Sequence, residues 1–456
     1  MKRKVLPSLP MLPVEFVQRM KSRLGDQYAL FENALTQASP VSVRLNPRKQ
    51  GSAITGQPVG WAEMGRYLNE RPLFTLDPAL HAGGYYVQEA SSMFIEQAIR
   101  QHVPQTPVTA LDLCAAPGGK SSHLVSLLHP DSLLVSNEVI RSRASILAEN
   151  IAKWGYPNVV VTQNDPAEVG GLLGLFDVVV VDAPCSGEGL FRKDAEAASE
   201  WSEANVALCA LRQRRILADV WPALKAEGLL IYCTCTYSDE ENEQVLKWLR
   251  EEKEVEFCRI ELGSAPGVDE VLVDGARGYR FYPHRVKGEG FFLSVMRKTS
   301  TQEKLYVRPR KSEAIAPTRI QSQIANWMHN PERLTINQLQ DLLIAVPADW
   351  SAEVELIINH LQVVTRGTAL ATLKHEKLIP EHAWALSTEL NRDAFEVIEL
   401  DETDALAYLR KDAFHVESPT RGFALVTYRQ LPLGWINRLG NRTNNLYPAN
   451  WRIRMK

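Results

Sequence analysis

At 456 residues the chain is too long for one ordinary domain, and three or four are expected. Its hydrophobic content of 45% and charged content of 23% are those of globular protein, which argues against a disordered or fibrous chain. The net charge of −3 carries no global bias, and no apolar run approaches the roughly 18 to 20 residues that span a bilayer.

The start, Met1 to Pro13, is basic and then apolar. Its prolines and its lack of a small-residue cleavage site argue against a signal peptide, so the chain is expected in the cytoplasm. Six cysteines fit that compartment: Cys114, Cys185, Cys209, Cys233, Cys235 and Cys258. None forms a CxxC or a Cys/His pair at zinc spacing, so neither a metal site nor a disulfide framework is expected. Cys209 and Cys258 read as small buried apolar residues.

Charge is uneven along the chain. Residues 1 to 50 hold nine Lys/Arg and three acids, residues 280 to 311 nine and two, residues 417 to 456 seven and one. Basic flanks suit a polyanion partner, and they also suit plain solvated surfaces.

Residues 1 to 50 begin as a helix through Phe16, Val17, Met20 and Leu24, then extend from Pro40 to Pro47. Residues 51 to 80 are rich in Gly and Pro and read as irregular. A helix is expected from Tyr85 to about Arg100. From Val108, strand and helix patterns alternate. Strands are expected at Val108 to Cys114, Leu133 to Asn137, Asn158 to Asn164, Asp177 to Asp182 and Gly228 to Tyr232. Helices are expected through Leu124 to Leu128 and over 141–154, 201–224 and 239–251. Antiparallel strands surround Lys287 to Gly290. Such alternation predicts a parallel sheet with helices on both faces. Residues 319 to 345 read as helical, Val354 to Ile358 as strand-like, and the region from about Asn391 as short strands and turns. The expected divisions are 1–100, 101–298, a linker at 299–318, 319–388 and 389–456.

Three strand ends carry the chemistry. Asp112 leads into Cys114, Ala115, Ala116, Pro117, Gly118, Gly119 and Lys120. The valine run from Val178 to Val181 leads into Asp182, Ala183, Pro184 and Cys185. The strand ending at Tyr232 leads into Cys233, Thr234, Cys235 and Thr236. In open α/β sheets ligands collect at these ends. The glycine loop at a helix start allows close backbone approach to a ligand. GxGxxG is absent. A P-loop match is partial: Gly119, Lys120 and Ser121 fit, but Cys114 stands where its first glycine should be. An S-adenosylmethionine site needs an acid after the second strand and a polar residue after the third. Glu138 and Asp165 stand there, although either alone could be a helix cap or a turn acid.

These segments, with Glu240, Glu241, Asn242 and Glu243, resemble the NOL/NOP/Sun (NSUN) family of RNA 5-methylcytosine methyltransferases over about residues 40 to 297. The end of the chain, Arg421 to Tyr428, Leu431 to Trp435 and Asn445 to Pro448, is similar to the PUA-like tail of its RsmF (YebU) subgroup, whose members act on 16S ribosomal RNA. The resemblance implies an α/β, Rossmann-like methyltransferase core, an N-terminal α+β RNA-binding part and a C-terminal β-rich PUA-like module. It implies S-adenosyl-L-methionine held by Cys114 to Lys120, Glu138, Asp165 and Asp182.

By motif position it implies Cys235 as the nucleophile, Cys185 as the group that assists proton removal and release, and Asp182 beside the cytosine N3. Carbon 5 of cytosine is too weak a nucleophile to take a methyl group until a thiolate adds at carbon 6, so two thiols and an acid suit the reaction. Lys120 could contact cofactor or base. Cys233 reads as a neutral replacement and Cys114 as packing. Arg44, Asn46, Gln88 and the basic C-terminal tail are candidate RNA contacts, and the partner is expected to be 16S ribosomal RNA, met by a monomer. A P-loop NTPase and a catalytically silent RNA-binding or ribosome-assembly protein remain as alternatives.

Overall fold

The valine-rich runs become the middle of one mixed sheet of ten strands. The computed structural model describes residues 12–263, 265–301, 314–414, 421–439 and 442–455. The basic residues Lys2, Arg3, Lys4, Lys304, Arg308, Arg310, Lys311 and Lys456, and most of the expected linker at 299–318, lie outside the described residues.

Thr109–Asp112, Leu133–Asn137, Val159–Thr162, Phe176–Asp182 and Leu224–Thr234 run parallel. Across the sheet they lie in the order third, second, first, fourth, fifth. Parallel pairs need crossovers, and the helices Gly119–Leu127, Arg141–Trp154, Pro166–Gly170 and Glu203–Val220 supply them. Val135, Val160 and Val179 to Val181 are buried, as β-branched runs covered on two faces should be. The strand order reverses at Thr109–Asp112, which places a crevice at the carboxyl ends there.

Phe291–Lys298 continues the sheet antiparallel to the fifth strand, with Leu293 opposite Cys233, and Ala276–Phe281 and Asp269–Val273 follow. At the far edge Val363–Arg366, from the second half of the chain, pairs antiparallel with Val159–Thr162. The N-terminal helices Val14–Leu24 and Tyr28–Thr36 bury Phe16, Met20, Phe31 and Leu35 against Phe191, Trp201, Tyr237 and Tyr282. A four-stranded sheet follows, with Val41–Leu45 between Ala62–Leu68 and Tyr85–Val87. The second half holds two more four-stranded sheets. The last of them, built on Gly422–Tyr428 and Leu431–Arg438, shares a core with the N-terminal sheet through Val43, Tyr85, Tyr408, Leu431 and Tyr447.

Several local expectations are corrected. Residues 51 to 80 carry the strands Gln57–Val59 and Ala62–Leu68, with Pro58 tolerated because its strand is at the sheet edge. Tyr85 to Arg100 is not one helix: Tyr85–Val87 pairs with the strand holding Arg44, and the α-helix begins at Ile95. In residues 319 to 345 the α-helix stops at Ile324, short 3-10 turns follow at Ala325–Trp327 and Pro331–Arg333, and the rest is the hairpin Leu334–Leu339 with Leu342–Pro347, whose turn has Gln340 at φ 52°. Val354 to Ile358 lies in the helix Ser351–His360, because Val354, Ile357 and Leu361 fall on one helical face against the large sheet. The last region also contains the helix Glu402–Arg410, capped by Asp401. Cys209 is buried, whereas Cys258 is only partly covered.

Candidate active site

The glycine loop is shaped by close approach. Gly118 has φ 112°, and a Cβ there would lie 3.2 Å from Leu147. A Cβ on Gly119 would lie 3.2 Å from the Tyr86 ring. The loop is pinned from the next helix: Arg143 donates to Ala116 O at 2.9 Å and Asn150 to Pro117 O at 2.8 Å, while Ala115 N–H donates to Asn137 O at 2.8 Å. The first N–H groups of the helix Gly119–Leu127 have no partner within the helix.

Beneath the loop, Asp112 is fully buried. One of its oxygens accepts from Ser121 Oγ at 2.7 Å and the other has no hydrogen-bond partner. Burial lifts this carboxyl to about 7. Glu138, 2% exposed, follows the second strand; it accepts from Ile140 N–H at 3.0 Å and pairs with Arg143 at 3.3 Å. Next to it Val139 and Ile140 are exposed apolar side chains. An orphaned buried carboxyl oxygen on Asp112, the carboxylate of Glu138, exposed apolar side chains and a narrow glycine cradle fit a ligand with an ammonium, a ribose diol and a flat base, which is the chemistry of S-adenosylmethionine.

Asp165 follows the third strand as an N-cap. It accepts from Ala167 N–H at 3.1 Å, Glu168 returns a bond to Asp165 N–H at 2.8 Å, and Arg215 pairs with it at 2.7 Å. Both capping oxygens are thus engaged within the chain.

The thiols meet at the ends of the fourth and fifth strands. Ala183 N–H donates to Cys233 O at 2.9 Å and Gly189 N–H to Cys235 O at 2.8 Å, which zips the two loops together. Cys185 Sγ and Cys235 Sγ lie 3.1 Å apart, and Cys235 N–H points at Cys185 Sγ at 3.4 Å. The contact with Cys235, then burial, holds the Cys185 thiol well above its ordinary range. Lys120 Nζ donates to Asp182 Oδ2 at 2.7 Å and lies 5.3 Å from the centre of the Phe291 ring. Burial alone would lower the Lys120 ammonium, but the Asp182 carboxylate reverses this and raises it. Cys114 and Cys233 are raised by burial and stay neutral packing residues in this environment.

Glycine loop, Glu138, Lys120, Asp182, Cys185 and Cys235 are therefore brought to one rim, with Asp165 beside the third strand. The candidate RNA contacts Arg44, Asn46 and Gln88 are not surface groups and are corrected. Arg44 is 1% exposed, stacks 4.5 Å over Trp154 and donates to Gln88 Oε1 at 2.7 Å and Ser122 Oγ at 2.6 Å. Asn46 donates to Gly83 O at 2.9 Å and Trp154 O at 3.0 Å. In the C-terminal region Tyr428, Trp435 and Tyr447 are core. Missed in the sequence were Arg143, which clamps the loop, and the buried pair Glu188 and Glu241. The first offers no local signal. The second pair lies within the recognised motifs, but only the fold shows where each reaches.

A doubly wound sheet whose reversal point carries this loop, with a PUA domain at the other end of the chain, is an S-adenosylmethionine-dependent methyltransferase. Residues 102–297 match the family 16S rRNA methyltransferase RsmB/F, residues 12–90 the N-terminal domain of 16S rRNA methyltransferase RsmF, and residues 395–453 the methyltransferase RsmF PUA domain. Ribosomal RNA small subunit methyltransferase F of Citrobacter koseri is 32% identical over 415 residues, covering 86% of this chain and 84% of the relative. Its counterpart in Shigella boydii is 31% identical over 414 residues, with the same coverage. The chain belongs to this family of 16S rRNA methyltransferases, which displaces the NTPase reading. A methyltransferase homolog protein from Pyrococcus horikoshii aligns at 26% identity with a TM-score of 0.52, over 63% of this chain and 100% of the other. NSun6 from Pyrococcus horikoshii, solved with the S-adenosylmethionine analogue SFG, shares the fold at 18% identity and a TM-score of 0.53, over 64% and 100%.

Proposed function

We propose that the enzyme makes 5-methylcytosine in 16S ribosomal RNA through a covalent bond between Cys235 and carbon 6 of the target base. The observation that carries the proposal is the thiol pair at 3.1 Å beside the Lys120–Asp182 ion pair. A single thiol would serve for addition alone. A second one in contact with it suits a reaction in which a proton must leave carbon 5 before the adduct can open.

Cys235, as thiolate, adds to carbon 6 and makes carbon 5 enamine-like. Asp182, paired with the Lys120 ammonium, stands beside the cytosine N3 and stabilises the adduct by sharing the proton there. Bound S-adenosylmethionine supplies the sulfonium methyl group for carbon 5. Cys185 then assists removal of the carbon 5 proton, the carbon 6–sulfur bond breaks, and Cys235 leaves. The loop from Cys114 to Lys120, Glu138 and Asp165 hold the cofactor. The N-terminal part up to residue 100 and the PUA domain present the RNA.

The test is a denaturing gel of Cys185→Ala incubated with S-adenosylmethionine and 16S RNA, beside wild type and Cys185→Ala/Cys235→Ala. A retarded protein–RNA band in the single variant alone is expected. No band while wild type still transfers methyl groups would remove the two thiol roles. No transfer by wild type to any RNA would favour a silent RNA-binding protein.

A further inference from the structure

The two thiol-bearing loops are cross-braced by buried carboxylates that reach in opposite directions. Glu241, downstream of Cys235, extends to the Cys185 loop, where it accepts from Ser186 N–H at 2.9 Å and from the Ser186 hydroxyl. Gln213 Nε2 donates to the same carboxylate at 2.8 Å and to Pro184 O at 3.0 Å. Glu188, downstream of Cys185, extends the other way. It accepts from Tyr237 N–H at 3.0 Å and from Trp201 Nε1 at 3.0 Å. Between the carboxylates, the hydroxyls of Ser186 and Thr236 meet at 3.0 Å. Gly189 completes the closure, since a Cβ there would lie 2.8 Å from Cys235 O and 2.5 Å from Gly290 O.

Glu241 is fully buried and Glu188 is 2% exposed. Burial pushes both carboxyls up, against the hydrogen bonds they accept. Among the described residues neither makes a salt bridge. A buried carboxylate costs more than an apolar side chain of the same shape, so stability alone gives no reason for two of them here. Both oxygens of each carboxylate are bonded, while Gln213 Oε1 in the same network has no hydrogen-bond partner, and buried carboxylates bonded in this way fix one geometry against their neighbours. We infer that Glu188 and Glu241 are positioning residues that set the Cys185–Cys235 separation on which the reaction proposed above depends.

The test has two independent readouts. In Glu241→Gln an amide –NH₂ replaces one acceptor against three donors. Turnover should fall about 100-fold, with the RNA KM and S-adenosylmethionine affinity within about twofold of wild type. The thiol separation is read without any methyl transfer, as the rate at which diamide oxidises Cys185 and Cys235 to a disulfide while itself being reduced to the hydrazine, followed by peptide mass mapping. That rate should fall about tenfold or more in Glu241→Gln and in Glu188→Gln. Ser186→Ala, which keeps the backbone bond, should show a smaller fall in both, about threefold to tenfold, and decides the matter should the Glu variants not fold. A folded variant with reduced Tm but unchanged turnover and unchanged oxidation overturns the inference. Slower oxidation, in an enzyme whose Cys185→Ala form traps no RNA, would remove the thiol roles and leave the brace standing.

Discussion

Lys120 is part of the helix Gly119–Leu127 and Arg44 is held against it, yet the surroundings of these two cations differ. Lys120 faces a carboxylate at the rim, with Asp182 partly open to solvent. Arg44 faces the Gln88 and Ser122 side chains and the Gly119 carbonyl, and burial lowers it to about 9. Lys49 repeats the pattern nearby: it donates to Ala82 O at 2.8 Å and Lys153 O at 2.6 Å, and burial lowers it to about 7. The rim cation keeps a charged partner whose other oxygen can meet a base. The buried cations direct their donors to the chain itself, and burial keeps them from phosphate. Charge counted along a sequence does not separate the two, because the deciding quantity is which acceptors the fold brings near.

Four substitutions test that contrast. Cys235→Ala, on the rim, should reduce methyl transfer by on the order of 10⁴-fold while leaving the unfolding curve in place, measured by tritium incorporation into 16S RNA. An effect below tenfold would mean that the rim chemistry is misassigned.

Asp112 lies under the rim and links it to stability. Its carboxyl moves from 3.8 to about 7 in the fold, so the folded chain keeps a proton that the unfolded chain gives up. The sign follows: its contribution is full below about pH 4, falls as pH rises towards 7, and is flat above. The loss is on the order of 4 kcal/mol across that window. In Asp112→Asn the urea midpoint should be correspondingly less dependent on pH between 4 and 7. An unchanged pH profile would show that Asp112 is ionised in the fold.

Arg44→Met should cost about 2 to 4 kcal/mol in urea unfolding, through lost hydrogen bonds and lost stacking on Trp154. The salt slope of RNA binding should stay the same. A shallower slope at unchanged stability would make Arg44 a phosphate contact after all. Asp165→Ala should cost only about 1 kcal/mol as a lost helix cap. Weaker S-adenosylhomocysteine binding at that small cost would add the cofactor role to the cap.

The catalytic sheet was legible because its strands carry buried apolar runs, valine-rich in Val159–Thr162 and Phe176–Asp182, that stop at polar or acidic residues. Leu133–Asn137 and Arg141–Trp154 fall where the apolar pattern puts them. Of the site, the glycine loop, Glu138, Asp182 and both rim thiols could be named from motif context. Their contacts could not, since Lys120 and Asp182 are far apart in sequence. Periodicity failed where tertiary pairing decided the outcome. Tyr85–Val87 is a strand because the strand through Arg44 pairs with it, and Leu334–Leu339 because Leu342–Pro347 folds back on it. Val354 to Ile358 is apolar enough for either state, and the face it lays on the large sheet makes it helix.

The strand Val363–Arg366 has a consequence for handling the protein. It covers the outer row of backbone groups on Val159–Thr162, and Gly367 N–H adds a bond to Val159 O at 3.0 Å. A fragment ending near residue 300 would keep Lys120, Asp182, Cys185 and Cys235 but leave that row bare, as a valine-rich template for another copy. Such a fragment should come off a sizing column as soluble aggregate. Adding back the second half as a separate chain should recover some of it as a defined one-to-one species.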